Sequence, residues 1–383
     1  MKDLPFLSWI ELSPGNLRHN VRSLQKLAGQ AAVAVCVKAN AYGHGLPEVV
    51  RVLQEQAEVE YITVHALPEA ILAREVGWTR KILLLGPLAK SEIDGVLEYD
   101  LEPTIFDLKT LSAVGRLATN QNKKIRTHMK LETGTNRQGI TVDELPAFAR
   151  VYQGNPFLGG PYGASMHFAD VEDTIHHSYS TRQLKQFRGM VRLMHALGIP
   201  PKIKHAASSA AMILFENTRL DMVRPGIAVY GHWPSKETYL SYRLGGGQND
   251  LFSPILSWKT RVTQIKKIPA DSFVGYGCTY RTTSPTKLAI IPVGYADGYA
   301  RALSNLAHVL IRGRRAPVRG RVCMNLTMVD VTDVKGARQG DTVTLIGSDG
   351  DQVITAEKLA AWSGSINYEI LARLSPLLPR VVR

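Results

Sequence analysis

Cysteine is scarce in this chain, which has only three in 383 residues: Cys36, Cys278 and Cys323. Because they are odd in number and far apart, they predict neither a disulfide framework nor a paired-cysteine metal site. A chain without disulfides is typical of a reducing compartment, so we expect the protein in the cytoplasm. We also predict no metal centre, since the segment after residue 275 offers only His308 beside two cysteines, without the spacing of ligands.

Long hydrophobic runs are also missing. No stretch reaches the roughly eighteen uninterrupted apolar residues that a membrane-spanning helix needs. The N-terminal stretch MKDLPFLSWIELSP contains the acidic Asp3 and only a short apolar run, which is not the pattern of a signal peptide. The 45% hydrophobic and 21% charged residues are typical of a soluble globular protein. We therefore expect no association with a membrane.

Acidic residues are too few to balance the basic ones, with 33 against 46 and a net charge of +13 at pH 7. Basic chains often bind nucleic acid, but zinc-finger spacing, an RNP-like aromatic motif and an unbroken Lys/Arg block are all absent. The nearest block, residues 312–321, is interrupted by glycine and proline. Arginines spread along a chain are typical of a surface that attracts small anions. We expect no nucleic-acid partner.

Short strand-like runs alternate with amphipathic helix-like segments in the first part of the chain. The eight runs are residues 32–37, 61–65, 81–86, 101–106, 125–131, 162–168, 202–205 and 226–231. Among the intervening segments, residues 181–198 place Leu184, Phe187, Val191 and Met194 at helical spacing. Eight alternations predict an α/β protein with a closed, TIM-like (β/α)8 barrel, which we assign to residues 10–240. An open doubly wound sheet is the competing fold, but no G-x-G-x-x-G follows the first run.

The pattern changes after residues 234–251, a polar and glycine-rich stretch that predicts a linker or a long loop. Short runs of alternating hydrophobicity follow, separated by turn residues and beginning with LSWKTRVTQIKKI, which is typical of β-sheet. We assign residues 245–383 to a mostly-β C-terminal domain. The strand within residues 1–12 is expected to join this second domain.

Reactive side chains recur at the ends of the predicted barrel strands. In a (β/α)8 barrel the functional groups lie at the C-terminal ends of the strands, and a phosphate site often follows the last two. The candidates at strand ends are Lys38, Lys130, Arg137, His167, His205, Ser208 and Ser209, and Arg224, Gly226 and Ile227 come just before the eighth predicted strand. Each alone has an ordinary explanation, since strand-end lysines usually reach solvent and Ser-Ser or Pro-Gly pairs are common in turns. Together on one rim they predict a nucleophilic lysine beside a phosphate-bearing aldehyde cofactor.

Nine motifs give the sequence a resemblance to a known family. In chain order they are VKANAYGHG, MKLETGTNRQG, MHFAD, HAASSA, DMVRPGIAVYG, VGYGCTY, IPVGYADGYAR, GRVCMN and INYE. They are similar in order and content to motifs of alanine racemases, barrel enzymes that use pyridoxal 5'-phosphate (PLP), and the resemblance covers nearly the whole chain. It implies an enzyme that interconverts L- and D-alanine to supply D-alanine for peptidoglycan. It also implies a homodimer whose active site is shared between the subunits.

The resemblance implies two catalytic bases. Lys38 is similar to the lysine that forms a Schiff base with PLP and acts as one base, and Tyr276 is similar to the second base, contributed by the other subunit. Racemisation removes a proton from one face of the α-carbon and returns one to the other, so it requires bases on opposite sides. His167 and Tyr295 match hydrogen-bonding neighbours of the tyrosine. A tyrosine base needs positive surroundings, and we expect His167 and Arg224 to provide them.

Other positions match groups that hold the cofactor or the substrate in the family. Those that match phosphate contacts are Tyr42, Ser209, Gly226, Ile227 and Tyr368. Arg224 matches the partner of the pyridine nitrogen, where an arginine disfavours protonation of the ring, and His205 is expected behind it. Arg137 and the backbone of Met324 match groups near the cofactor hydroxyl and the substrate carboxylate. Lys130 matches a lysine that is often carbamylated.

Four positions depart from the family pattern and leave the substrate open. They are Glu132 in place of Asp, Thr135 in place of Met, Ser208 in place of Asn and Asn325 in place of Asp. The alternatives are a racemase of serine or of basic amino acids, a D-amino-acid lyase, and a PLP carrier without enzymatic activity. The lyases tend to have a His/Cys metal pair in their second domain and the carriers are single barrels. The predicted β domain without such a pair favours a racemase.

Overall fold

The computed structural model describes residues 5–56, 59–172, 174–247 and 251–383. The contacts divide the chain into two compact units. The first, which we call the barrel unit, contains residues 15–39 and 49–254, and the second, the β unit, contains residues 1–14, 40–48 and 255–383. The first four residues of the predicted N-terminal strand region lie outside the described residues.

The barrel unit is a closed ring of eight parallel strands. Strand β1 (Ser8–Leu12) belongs to the β unit, and the barrel strands follow as β2 (Ala32–Cys36), β3 (Tyr61–Val64), β4 (Lys81–Leu84), β5 (Leu101–Ile105), β6 (His128–Lys130), β7 (Gly163–Ser165), β8 (Ile203–His205) and β9 (Met222–Val223). Each strand pairs with the next, and β9 closes on β2 through the pair Ala32 and Met222. Parallel strands are buried on both faces and therefore lack polar alternation. The predicted barrel is confirmed.

Helices surround and connect the strands. They are α1 (Pro14–Ala28), α2 (Lys38–Tyr42), α3 (Leu46–Gln54), α4 (Leu67–Glu75), α5 (Gly95–Glu98), α6 (Leu108–Asn120), α7 (Leu145–Gln153), α8 (Ser178–Ala196), α9 (Ser209–Leu214) and α10 (Lys236–Leu244). In α8 the predicted apolar positions are the buried ones, including Leu184, Phe187 and Met194. Within the described ranges, no helix combines the length and the hydropathy that crossing a bilayer would demand.

The eighth barrel strand lies earlier than the sequence predicts. The prediction over residues 226–231 is wrong, because β9 ends at Val223 and Ile227–Tyr230 forms a 3-10 helix. Pro225 has no N–H for a strand ladder, and Gly226 adopts φ −111° and ψ −94°, outside the strand region. A short buried apolar run has no periodicity that separates strand from helix. Arg224 and Gly226 therefore follow the last strand instead of preceding it.

The segment after β2 is a left-handed helical turn. Residues 39–42 of α2 all have φ between +53° and +54°. A left-handed residue with a Cβ costs about 1–2 kcal/mol. In the barrel unit the Ala39 N–H donates to Glu69 Oε1 at 2.6 Å, and in the β unit the Leu46 N–H donates to Asn40 Oδ1 at 2.8 Å. Gly43 follows with φ +81°, where a Cβ would lie 1.8 Å from the carbonyl oxygen of Leu371.

The polar stretch over residues 234–251 is not entirely a loop. Its prediction as a linker is wrong for Lys236–Leu244, which forms α10. Ser235 is the N-cap, and its hydroxyl accepts a hydrogen bond from the Thr238 N–H at 2.9 Å. A serine cap followed by Glu237 in the first turn starts a helix in spite of the polar composition. Residues 248–250 of this stretch lie outside the described part.

The β unit contains two sheets. Its remaining strands are β10 (Leu256–Arg261), β11 (Gln264–Ile268), β12 (Thr286–Ile291), β13 (His308–Ile311), β14 (Arg314–Pro317), β15 (Thr327–Asp330), β16 (Thr342–Asp349), β17 (Gln352–Ile354) and β18 (Arg380–Val382), with helices α11 (Ala356–Ser363) and α12 (Asn367–Ala372). One sheet has the order β14-β13-β16-β10-β1-β18, with β17 beside β16, and the other is β11-β12-β15. In β10 buried and half-buried residues alternate, as expected for a sheet with one face on a core. The N-terminal strand β1 pairs with β10 and β18.

Candidate active site

The ends of five barrel strands bring basic side chains to one rim of the barrel unit. Lys38 comes two residues after β2, Lys130 is the last residue of β6, and His167 comes two residues after β7. His205 is the last residue of β8, and Arg224 directly follows β9. Because the strands are parallel, all these positions lie at the C-terminal end of the barrel.

The rim is crowded with positive charge. Burial lowers the pKa of Lys130 to about 8, with further lowering by Arg224, Arg137 and Lys38, while Glu132 acts to raise it. Burial and the same cations hold the pKa of His167 well below its usual value. A lowered pKa disfavours the protonated imidazole, so these surroundings do not support the expectation that His167 adds positive charge. The positive charge on this rim attracts an anionic group.

Arg224 is held by several hydrogen bonds within the barrel unit. Its Nη2 donates to the carbonyl of Met166 at 2.7 Å, and its Nη1 donates to Nδ1 of His205. Burial lowers the pKa of Arg224 to about 10, so the guanidinium stays charged at neutral pH. The imidazole of His205 is fully buried, and burial together with Arg224 holds its pKa well below the usual value.

Two further polar residues continue inward from His205. His128 Nδ1 lies 2.9 Å from His205 Nε2, and His128 Nε2 lies 3.0 Å from Glu102 Oε2. The sequence analysis did not single out His128 or Glu102. Their positions in the sequence could have identified them. Both lie inside strand-like runs that the barrel buries, and a buried polar side chain needs a polar partner.

Ser209 connects the start of α9 to the turn after β9. Its Oγ accepts hydrogen bonds from the Gly226 N–H at 2.9 Å and the Ala228 N–H at 3.4 Å. A hydroxyl has two acceptor positions and one hydrogen, so the Ser209 hydrogen is left to donate. Ser208 is the N-cap residue of α9, and its side chain makes no capping bond. Ile227 begins the 3-10 helix and is fully buried.

The loop after β6 positions Arg137. The Glu132 carboxylate accepts hydrogen bonds from the N–H groups of Gly134 at 2.6 Å and Asn136 at 3.0 Å. The Thr135 hydroxyl donates to the carbonyl of His167 at 2.7 Å. Two of the departures from the family pattern, Glu132 and Thr135, thus hold this loop in place. Nothing in the structure explains Asn325, which is exposed in the β unit.

In the β unit four of the remaining predicted residues form two groups. The rings of Tyr42 and Tyr368 pack with centroids 6.2 Å apart. The loops that carry Tyr295 and Met324 are joined by hydrogen bonds, since the Tyr295 N–H donates to the carbonyl of Cys323 at 3.0 Å and the Ala296 N–H donates to that of Met324 at 3.0 Å.

Tyr276 lies on a separate, exposed turn of the β unit. Its side chain is 74% exposed, and Met324 is 57% exposed. Gly275 and Gly277 on either side have φ +72°, which favours glycine, and a Cβ on Gly277 would lie 2.8 Å from the Arg321 guanidinium. Over the described ranges, no three His, Cys, Asp or Glu side chains form a group that could hold a metal ion.

Models of protein families match the chain along most of its length. The model described as the N-terminal domain of alanine racemase matches residues 12–234, and the one described as the C-terminal domain matches residues 255–382. The alanine racemase of Leptospira interrogans is 38% identical over 384 residues, which cover 100% of this chain and 97% of that protein. That of Halothermothrix orenii is 37% identical over 374 residues, which cover 97% and 96%.

Solved structures give the same result. The alanine racemase of Bacillus anthracis with bound L-Ala-P has a TM-score of 0.91 at 32% identity, over 99% of this chain and 96% of that one. The alanine racemase of Streptomyces lavendulae has a TM-score of 0.91 at 30% identity, over 100% and 98%. With two family models and full-length relatives in agreement, this chain belongs to the alanine racemase family.

Proposed function

We propose that the chain interconverts L- and D-alanine with PLP as its cofactor. The observation that carries this proposal is the cluster of Lys38, Lys130, Arg137 and Arg224 at the C-terminal rim of the barrel, whose charges add to burial in lowering the pKa of His167. A cofactor with a phosphate and a phenolic oxygen is an anion of the kind that such a cluster binds. Supply of D-alanine for peptidoglycan in the cytoplasm is the role that goes with this family.

The residues of the rim fit this cofactor. Lys38 offers the amine for covalent attachment. The Ser209 hydroxyl, which already accepts from the backbone of Gly226, and the adjoining backbone of Ile227 offer polar groups for a phosphate. We propose that Tyr42 and Tyr368, whose rings pack together, add to this phosphate site.

Arg224 is proposed to face the pyridine nitrogen. A guanidinium has only donors, and with a pKa of about 10 it keeps its proton at neutral pH. It would therefore donate a hydrogen bond to the nitrogen of bound PLP without protonating the ring. When bound, PLP draws electrons away from the α-carbon of the substrate, which makes the α-proton removable.

Two residues move the proton in the proposed mechanism. Lys38 Nζ exchanges it on one face of the α-carbon and Tyr276 Oη on the other, with Tyr276 contributed by the second subunit of a homodimer. The guanidinium of Arg137 and the backbone of Met324 bind the substrate carboxylate, and Tyr295 and the neutral His167 support the tyrosine by hydrogen bonding. The high exposure of Tyr276 and Met324 in one chain supports a site that a second subunit completes.

The same proposal covers the domains and partners. Residues 10–240 are proposed to bind the cofactor, and residues 245–383 with the strand from residues 1–12 to supply the second base. The partners are a small amino acid and a second copy of the chain, without nucleic acid.

The decisive experiment replaces the attachment residue. Lys38→Ala should lose the visible absorbance of the bound cofactor and the racemisation of L-alanine followed by circular dichroism. Lys109→Ala, which removes an exposed lysine at the start of α6, is the matched control and should retain both. Full racemase activity in Lys38→Ala would contradict the mechanism.

A substrate panel separates alanine from the alternative substrates. The rim cations repel a lysine or arginine side chain, so L-alanine should be turned over faster than L-lysine and L-arginine. L-serine is the closest competitor in size. A higher kcat/KM for L-serine than for L-alanine would reassign the enzyme as a serine racemase.

A further inference from the structure

Two histidines form a hydrogen-bonded column inside the barrel. His128 is the first residue of β6 and His205 the last residue of β8, and neither side chain is exposed. The barrel makes room for the first ring at Gly163 of β7, where a Cβ would lie 2.1 Å from His128 Nδ1. The column therefore depends on three neighbouring strands, β6, β7 and β8.

The ends of this column fix where its protons are. A guanidinium has no acceptor, so the Nη1 hydrogen of Arg224 requires that His205 Nδ1 be unprotonated. A neutral His205 then has its proton on Nε2 and donates to His128 Nδ1. A neutral His128 in turn has its proton on Nε2 and donates to the Glu102 carboxylate. Every donor in the column faces an acceptor.

The charge states agree with this order. Burial lowers the pKa of both histidines, which keeps them neutral at physiological pH. Burial acts to raise the pKa of Glu102, but hydrogen bonds from His128 and Arg126 outweigh it and the pKa is lowered. The column thus has a cation at the rim and an anion at the opposite end of the barrel.

Glu102 lies where the barrel opens away from the rim. Its second oxygen pairs with Nη1 of Arg126 at 3.3 Å, and the Arg126 side chain is half-exposed. Both residues line a cavity of about 570 Å³ together with residues at the N-terminal ends of β4 and β5, such as Lys81 and Leu101. The two imidazoles thus connect Glu102 to the rim by hydrogen bonds.

We propose that Glu102 is a positioning residue for racemisation, acting through His128 and His205 on the orientation of Arg224. The inference rests on the proposed role of Arg224 at the pyridine nitrogen. In the opposite order, both histidines would have their proton on Nδ1. His128 would then donate to His205 Nε2, and the Nδ1 proton of His205 would face an N–H of Arg224. The Glu102 carboxylate accepts only, so it excludes that order.

The test compares Glu102→Gln with wild-type holoenzyme labelled with 15N in the histidine rings. An amide can donate as well as accept, so in the variant only the Arg224 end of the column still opposes the reverse order of protons. We expect the ring signals of His205, identified by their loss in His205→Gln, to shift or split in Glu102→Gln although the two residues do not touch. The kcat for L-alanine should fall about tenfold, with a smaller change in KM.

Matched variants make the result specific. Glu60→Gln removes an exposed carboxylate that pairs with Lys81 and not with a histidine, and it should leave kcat and the His205 signals unchanged. Glu102→Asp retains a carboxylate one methylene shorter and should recover part of kcat. If Glu102→Gln does not fold, Glu102→Asp becomes the test, because its shorter carboxylate weakens the contact with His128: kcat should lie below that of the wild type and the His205 signals should shift, and a wild-type result in either measurement would overturn the inference. Unchanged His205 signals, or a wild-type kcat, in Glu102→Gln would overturn the inference.

Arg224→Lys separates this inference from the function on which it rests. If Arg224→Lys retains wild-type kcat, the proposed role of Arg224 is wrong, and the inference about Glu102 is overturned with it. If Arg224→Lys is impaired and Glu102→Gln is not, Arg224 keeps its role and only the inference about Glu102 is overturned.

Discussion

At the residue scale, Lys130 shows how surroundings change the chemistry of a side chain. Burial first, and then the charges of Arg224, Arg137 and Lys38, lower the pKa of this amine to about 8. An exposed lysine, with a pKa of about 10.4, is almost fully protonated at neutral pH. Lys130 is instead partly neutral under physiological conditions, and a neutral amine is a nucleophile.

The first prediction follows from this lowered pKa. The neutral Lys130 nitrogen should attack the carbon of carbon dioxide and release a proton, which gives a carbamate anion among the rim cations. Because only the neutral amine reacts and its fraction rises with pH through about 8, the modification should increase from pH 7 to pH 8.5 at constant dissolved carbon dioxide. The measurement is 13C NMR of the enzyme in 13C-labelled bicarbonate.

The matched variants for this experiment are both lysine substitutions. Lys130→Ala should lose the carbamate signal, and Lys109→Ala, at an exposed position, should retain it. A signal that survives in Lys130→Ala would place the modification on another lysine. An unmodified wild-type enzyme at pH 8.5 would count against the prediction altogether.

At the scale of the element, the left-handed turn after β2 stores strain next to the proposed attachment residue. Residues 39–42 adopt positive φ without a glycine among them. Such strain persists where the surrounding structure determines the conformation, and it is common at functional sites. The hydrogen bond from Ala39 N–H to Glu69 is one contact that holds the turn.

The second prediction concerns Ala39, which is exposed and has φ +53°. Ala39→Gly should release about 1–2 kcal/mol of strain, which offsets the roughly 0.4–1 kcal/mol of added unfolded-state entropy. The free energy of unfolding, measured by urea denaturation, should equal or exceed that of the wild type. Ala113→Gly, in the right-handed helix α6, is the control and should lose about 1 kcal/mol. Equal losses in the two variants would contradict left-handed strain at Ala39.

The third prediction concerns the close approach of β7 to the histidine column. Gly163→Ala should lower the free energy of unfolding by about 1–3 kcal/mol, because the added Cβ overlaps the His128 ring. Gly189→Ala, in α8, meets no heavy atom closer than the Arg192 guanidinium at 3.8 Å. This control should gain about 0.5–1 kcal/mol. A neutral Gly163→Ala would mean that the His128 ring has room to move.

At the scale of the whole molecule, the proposed bases lie in different units of the chain. Lys38 belongs to the barrel unit, whereas Tyr276 belongs to the β unit and is 74% exposed. If the site is shared between subunits, each site contains Lys38 of one chain and Tyr276 of the other. A symmetric dimer then has two such sites.

The fourth prediction tests this sharing with two inactive variants. Lys38→Ala and Tyr276→Ala, mixed after reversible dissociation, form hybrid dimers in which one site has both bases. With random pairing, half of the dimers are hybrids and one of their two sites is intact, so about a quarter of wild-type activity should return. Racemisation of L-alanine, with each variant alone as the control, is the measurement. No recovery in verified hybrids would assign both bases to one chain.

Local sequence predicted those elements that have a characteristic hydrophobic period and those residues that have a distinctive side-chain chemistry. The apolar runs predicted seven of the eight barrel strands near their observed positions, and the apolar stripe predicted α8. The β9 region and α10 were missed for opposite reasons. The apolar run after Pro225 was predicted as a strand, although a buried apolar run has no period that distinguishes strand from helix. The polar stretch that contains α10 was predicted as a loop, although its serine cap begins a helix.

By itself the sequence determined the barrel, the β domain and the family, because strand periods, turn residues and nine ordered motifs are local properties. It also placed Lys38 and Lys130 at strand ends, whereas Arg224 was predicted to precede the last strand and follows it. Only the tertiary structure decided that Glu102, His128 and His205 meet in one column. Their contacts join residues 26 and 77 positions apart. Such contacts depend on the register between neighbouring barrel strands. That register cannot be read from the hydrophobic pattern of any single strand.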